Sequence, residues 1–167
     1  MFPPSLNLSY LSSLLDNLPG VAFVCRNDPE TSIEYVSMCS VRMLGYTPQY
    51  LMAERAFTKF VHPDDTANNK RLMNSLTPEN SWYTTNYRVR TADGGDLWVN
   101  EQAHGLFDDN GELLVVVGLI TDIQAQKKTE RRLKEQNQRL RASMKERGNL
   151  VDLIGRSTGM QKVYDLI

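Results

Sequence analysis

Residues 82–123 read WYTTNYRVRTADGGDLWVNEQAHGLFDDNGELLVVVGLITDI, and the fold turns on this stretch. Residues 82–91 are rich in Thr, Tyr and Val and alternate in places, as a strand with one buried face does. Asp93-Gly94-Gly95 turns the chain and residues 97–107 return. Asp108-Asp109-Asn110-Gly111 turns it again, because Asn and Gly tolerate the positive φ that tight hairpins need. Residues 113–120 then close a three-stranded meander.

Upstream, Leu8, Leu11, Leu14, Leu15 and Leu18 recur at helical spacing, which predicts a short amphipathic helix over 5–17, ended by Pro19-Gly20. Residues 21–25 and 32–36 are strand signals around an Asn27-Asp28-Pro29 turn. Short helical pieces follow at 39–44, 48–53 and 66–76, separated by Gly45 and by Val61-His62-Pro63-Asp64-Asp65. The expected domain is α+β, one five-stranded antiparallel sheet with short helices on one face.

From Asp122 the pattern changes to a long helix. Ile123, Glu130, Asn137 and Met144 form one seven-residue series, and Gln126, Leu133 and Leu140 a second. The implied coiled-coil seam (Ile123, Leu133, Asn137, Leu140, Met144) is half polar, so it is short and weak alone. Asn137 at such a position sets register in a dimer. A solvated basic helix is the plainer alternative.

Charge follows the same division. Residues 1–122 hold 8 Lys/Arg against 15 Asp/Glu, and residues 123–147 hold 9 against 3. An acidic globule is joined to a basic rod. The rod lacks interleaved aromatics and any DNA-reading motif, so a solvated face is preferred to nucleic-acid binding. Apolar content of 41% is ordinary for a globular domain. Cys25 and Cys39 sit in no CxxC pair and near no His at metal spacing, which argues against a disulfide scaffold or zinc site. The N-terminus has no basic leader and the longest apolar run is too short to span a bilayer, so the cytoplasm is the expected compartment.

The order of elements, ending in Gly118-Leu119-Ile120-Thr121-Asp122-Ile123 and running into a charged helix, resembles the PAS sensor family. The resemblance covers residues 11–128. It rests on Tyr46-Thr47-Pro48 after Gly45, His62-Pro63-Asp64-Asp65, the hairpin over 87–99, and Asp109-Asn110-Gly111. Each is weak alone; their order and spacing are specific together. Asp122-Ile123 matches the family's Asp-Ile-Thr signalling motif, with Gln124 in place of the Thr. The resemblance therefore implies a signalling role for Thr121, Asp122 and Ile123. A carboxylate between strand end and helix start also caps backbone amides, and a plain cap is the simpler reading.

Residues 148–167, GNLVDLIGRSTGMQKVYDLI, resemble the opening of the AAA+ domain in sigma-54-dependent transcription activators. That resemblance implies a parent that contacts sigma-54 RNA polymerase, ATP and DNA through domains absent from this chain, cut at the edge of its ATPase. No GxxxxGK[ST] loop occurs here, so no ATPase activity is expected of the chain itself. The expected division is a helix over 1–19, a sensor domain over 20–122, a signalling helix over 123–147, and the start of the AAA+ domain over 148–167. The chain reads as the sensory, homodimerising front of such a regulator. A PAS domain of a histidine kinase or cyclase is the alternative, and a cofactor-loaded redox or gas sensor a third reading.

The family often holds a ligand between sheet and small helices. Phe23, Tyr35, Leu44, Phe57, Phe60, Leu72, Tyr87 and Val99 are candidate lining residues, with Tyr87 as a polar anchor; all are equally good core residues. His104 faces the pocket or solvent depending on register. Haem requires an axial ligand and only His62 and His104 are available, which argues against it. The Asn-Cys-Arg-Phe-Leu-Gln motif of flavin photosensors is absent, which argues against flavin photochemistry. A small organic ligand stays open, no catalytic or metal residue is expected, and the cofactor is unknown.

Overall fold

Strand alternation sets up the core. In the computed structural model, which describes residues 8–29, 31–54 and 57–155, β1 (Val21–Arg26) buries Val21, Phe23 and Cys25 on one face. Together with β2 (Ile33–Val36), β3 (Trp82–Arg90), β4 (Asp96–Phe107) and β5 (Leu113–Asp122) it forms one antiparallel sheet in the order β2-β1-β5-β4-β3. The last strand in sequence is thus the central one, and the chain leaves the sheet from its middle. Gly118 makes this packing fit. A Cβ there would lie 2.6 Å from Cζ of Phe23 and 2.7 Å from the carbonyl oxygen of Gln102.

An α-helix, α1 (Leu8–Asp16), precedes β1, and Leu15 and Leu18 border an open groove on the outer sheet face beside Ala22, Val24 and Leu119. On the inner side lie α2 (Cys39–Leu44), α3 (Pro48–Ala53), a 3-10 turn (Phe57–Lys59) and α4 (Pro63–Asn74). α2 ends at Gly45, whose φ of 79° is the left-handed conformation glycine adopts without steric cost. Thr47 caps α3 by accepting the Tyr50 N–H at 3.2 Å, with Pro48 in the first turn. Leu44, Leu51, Phe60 and Met73 from this layer close over Val99, Val116 and Ile120 of the sheet. Each large apolar side chain so buried contributes about 1.5–3 kcal/mol.

Two helices differ most from expectation. α4 begins at Pro63 rather than at 66, because His62-Pro63-Asp64-Asp65 is the helix's own start. The His62 ring accepts the Asp64 N–H at 3.2 Å, Pro63 fits the first turn, and the two aspartates suit the helix dipole. The final helix, α5 (Gln124–Gly155), starts one residue later than expected and runs past Arg147. A single Gly148 costs only about 1 kcal/mol in a helix, and Leu150, Val151 and Leu153 continue it. Of the stretch that resembled the AAA+ domain, residues 156–167 lie outside the described residues.

The chain up to Gln124 forms one compact unit and the chain from Ala125 a second. On α5 the pairs Lys127–Glu130 and Arg131–Glu135 link side chains one turn apart, as on a solvated helix. Leu133, Leu140 and Met144 are 58%, 63% and 71% exposed.

Candidate functional site

Between the sheet and α4 lies a partly enclosed cavity of about 40 Å³. Phe23, Phe57, Met73 and Val116 give it apolar walls, and Thr31, Thr66, Asn69, Tyr83 and Glu101 give it polar ones. Thr66, Asn69, Lys70 and Met73 are one face of α4, the i, i+3, i+4, i+7 set that a helix presents to its neighbour. That face is held in place by an ion pair at the helix start. Arg88 of β3 reaches Asp65 with Nε at 2.8 Å and with its terminal nitrogen at 3.1 Å, and its backbone N–H also donates to Asp65. The Arg88 hydrogen bonds hold the Asp65 carboxyl below the usual carboxylate range, and the guanidinium lies 5.5 Å from the Trp98 ring centre.

Glu101 is the unusual group. It sits on the inner face of β4 and is only 4% exposed. An isolated buried carboxylate is costly, but both oxygens are met. Tyr83 donates to one at 2.6 Å and Tyr87 to the other at 2.5 Å. Register explains the geometry. Thr85 lies opposite Glu101, so Tyr83 and Tyr87 flank it two residues either side on the same sheet face. Burial pushes the Glu101 carboxyl above its ordinary range while the two hydroxyl donors pull against it. Burial, and the nearby Glu101, push both tyrosine hydroxyls and the Cys25 thiol upward, so Cys25 is an inert buried thiol rather than a reactive one.

Asn69 is unusual in a different way. Its side-chain nitrogen and oxygen are both buried, and neither has a hydrogen-bond partner among the described residues.

Of the nine residues expected to line a pocket, Phe23 and Phe57 do so. Tyr87 reaches the site through Glu101. Leu44, Phe60 and Val99 belong to the packed core. Leu72 is off the cavity face because α4 is phased to present Met73 instead. Tyr35 pairs with Val24 and borders the outer groove, as strand alternation requires. His104 is also on the outer face, where its Nε2 lies 3.0 Å from the Ser81 hydroxyl. With His62 used as a helix cap and His104 turned away, neither histidine is placed to ligate an iron in this cavity. The volume is also far below the roughly 300 Å³ at which cofactor-sized pockets begin, so the residues present do not fit haem or flavin. No group of three His, Cys, Asp or Glu side chains among the described residues is arranged to hold a metal.

Sequence reading missed Glu101 and Asn69. Strict alternation from Val99 through Glu101 to Ala103 places the carboxylate on the buried face, and this signal was available. Asn69 carried none, because α4 has too few apolar residues to mark its inward face and packing on the sheet selects it.

The strand-to-helix junction is built on Trp98. Its carbonyl accepts the Ile123 N–H at 3.0 Å and its own N–H donates to the Gln124 side chain at 3.1 Å. Asp122 accepts the Gln124 N–H at 2.7 Å. Thr121 adds a 3.4 Å bond to the Asn100 carbonyl. Gln124, which stands in place of the motif's Thr, is one of the junction's fastenings.

The family model for the PAS fold matches residues 33–120. The methyl sulfide methyltransferase-associated sensor of Methanosarcina acetivorans is 29% identical over 119 residues, which are 70% of this chain and 12% of that protein. The chain therefore spans a small part of that relative. A sensory box histidine kinase/response regulator from Burkholderia thailandensis is similar at 25% identity and a TM-score of 0.63, over 78% of this chain and 97% of that one. The N-terminal domain of a diguanylate cyclase with PAS/PAC sensor from Marinobacter aquaeolei shares the fold at 19% identity and a TM-score of 0.55, over 65% and 98%.

Proposed function

The chain belongs to the PAS family, and from that premise we propose that it is the sensory and dimerisation module of a sigma-54-dependent transcriptional regulator. A signal received between sheet and α4 is passed through the junction at 121–124 to α5 and on to an AAA+ ATPase outside this chain. The observation that carries the reading is the position of Glu101 and Trp98 on one strand. A change at the buried carboxylate is three residues from the backbone that holds the start of α5. Sigma-54 RNA polymerase, ATP and DNA are contacts of the parent regulator.

Two copies pair through α1, the outer sheet face and α5. Supporting this are the groove beside Leu15 and Leu18, the exposed Trp82 and Leu106 on that face, and the exposed apolar positions of α5. No helix among the described residues is long and apolar enough to cross a membrane, and the proposed compartment is the cytoplasm.

The test is Arg132→Pro in the parent regulator. Proline within α5 interrupts the helix, so signal-dependent ATPase output should be lost while the isolated sensor keeps its fold. A response that survives overturns the transmission reading.

A histidine kinase parent is the second reading, favoured by the 25% identity to the Burkholderia kinase structure. The reading frame beyond Ile167 separates the two. A GxxxxGK[ST] loop supports the activator, and a phosphoacceptor histidine helix supports the kinase.

A further inference from the structure

We propose that the cavity between the sheet and α4 binds a compact, uncharged ligand of the primary-amide class, held by Asn69 and Glu101. The inference rests on reading the domain as a sensor and names what that sensor takes.

Three observations select the class. First, the amide of Asn69 has buried donor and acceptor atoms with no partner among the described residues, and it lines the cavity. Native proteins leave few such groups unmet, so an unpaired one points to something that meets it. An amide shows a donor beside an acceptor, and its natural complement shows an acceptor beside a donor. Second, Glu101 lines the same cavity. Each of its oxygens takes one tyrosine hydroxyl and keeps capacity for a further donor. A primary amide has one N–H for the paired face of Asn69 and a second to offer an acceptor. Third, the remaining walls include Phe23, Met73 and Val116, which suit the carbon end of a small amide.

Charge narrows the choice. Among the described residues an anion would face a buried carboxyl with no buried cation beside it, since Lys70 at the cavity margin is exposed. A bare cation would satisfy Glu101 but leave the Asn69 Nδ2 donor pointing at it. Size narrows it further. A volume of about 40 Å³ is some three times the roughly 10–15 Å³ that a single water needs. Formamide, with its three heavy atoms, is therefore the probe, and formate is its charged counterpart of the same shape.

The experiment is a titration of the ¹⁵N-labelled 167-residue chain with formamide and, separately, formate. Signals of the Asn69 side-chain NH₂ and the Cys25, Tyr83 and Glu101 amides are followed. Binding should be saturable in the millimolar range expected of so small a ligand, confined to cavity signals, and at least tenfold weaker for formate. Asn69→Leu should weaken the formamide response at least tenfold. The comparison of the two probes uses the unaltered chain, so it decides the matter even if that variant does not fold. Cavity signals unmoved by formamide, or moved equally by formate, would mean a site for water or for anions and would overturn the proposal. Either failure leaves transmission through α5 standing, because that is read from ATPase output in the parent.

Discussion

The backbone amide of Trp98 donates to the side-chain oxygen of Gln124 at 3.1 Å, so the first residue of α5 is fastened to β4, the strand that carries Glu101. The Trp98 carbonyl holds Ile123 as well. Ile123 and Gln124 are therefore both fastened to the sheet.

Gln124→Ala removes one of these fastenings. The hydrogen bond is solvent-exposed, so the loss of stability should be at most about 1 kcal/mol. Exchange of the Trp98 amide hydrogen should nevertheless speed up markedly while core amides such as Ile120 keep their protection. Unchanged Trp98 exchange would show that the contact holds nothing.

Asp122→Ala removes the carboxylate that accepts the Gln124 N–H. Loss of a helix-start cap of this kind costs about 1 kcal/mol, and thermal unfolding should register it as a modest drop in Tm. Asn at 122 should recover most of the loss, because its side-chain oxygen accepts the same bond.

The buried carboxyl of Glu101 gives the fold a pH signature. Its folded value is raised above the ordinary 4.5. The folded state thus holds the proton more tightly than the unfolded one. The associated stability is complete below that ordinary value and is lost as pH rises through the raised folded value. Asp65 has the opposite sign: its lowered value means stability present at neutral pH and lost in acid. Denaturant unfolding above about pH 5, where Asp65 is ionised in both states, isolates the Glu101 effect. Wild type should lose up to about 1.4 kcal/mol per pH unit across that window, and Glu101→Gln should not. Parallel curves for the two proteins would contradict the assignment.

Gly118→Ala tests the central strand. The added methyl meets both the Phe23 ring and the Gln102 carbonyl oxygen closer than carbon atoms tolerate, and the backbone contact cannot swing aside. Overpacking of this sort costs about 1–3 kcal/mol, read as a lower denaturant midpoint with little change in slope. A neutral result would mean that β5 shifts without penalty.

Leu133→Lys with Leu140→Lys places charges at the apolar positions of α5. If the helices pair, light scattering should report a shift from dimer to monomer. A dimer that persists would place the contact on α1 and the outer sheet face instead.

Much of the fold was legible in the chain before folding was considered. The Asp108–Gly111 turn, the Leu spacing of α1 and the alternation in β3 are local patterns, and local patterns are set by neighbours in sequence. Cys39–Leu44 and Pro48–Ala53 form the helices expected of them because Gly45 stops one and Thr47-Pro48 starts the next. The site was less legible. Tyr83 and Tyr87 flank Glu101, and Trp82 lies opposite His104, because of strand register, which is a pairing between distant segments. Leu72 yields to Met73 because the packing of α4 on the sheet, with Asp65 tied to Arg88, selects the inward face.

By itself the sequence determined which segments become strands and helices, where the turns fall, and that acidic and basic charge divide near residue 122, since each depends on residues within a few positions of one another. Tertiary structure alone decided that Tyr83, Tyr87 and Glu101 meet, that Asn69 lines the same cavity without a partner among the described residues, and that Trp98 holds Gln124. Those contacts join residues far apart in the chain, and only sheet register and helix packing bring them within hydrogen-bonding distance.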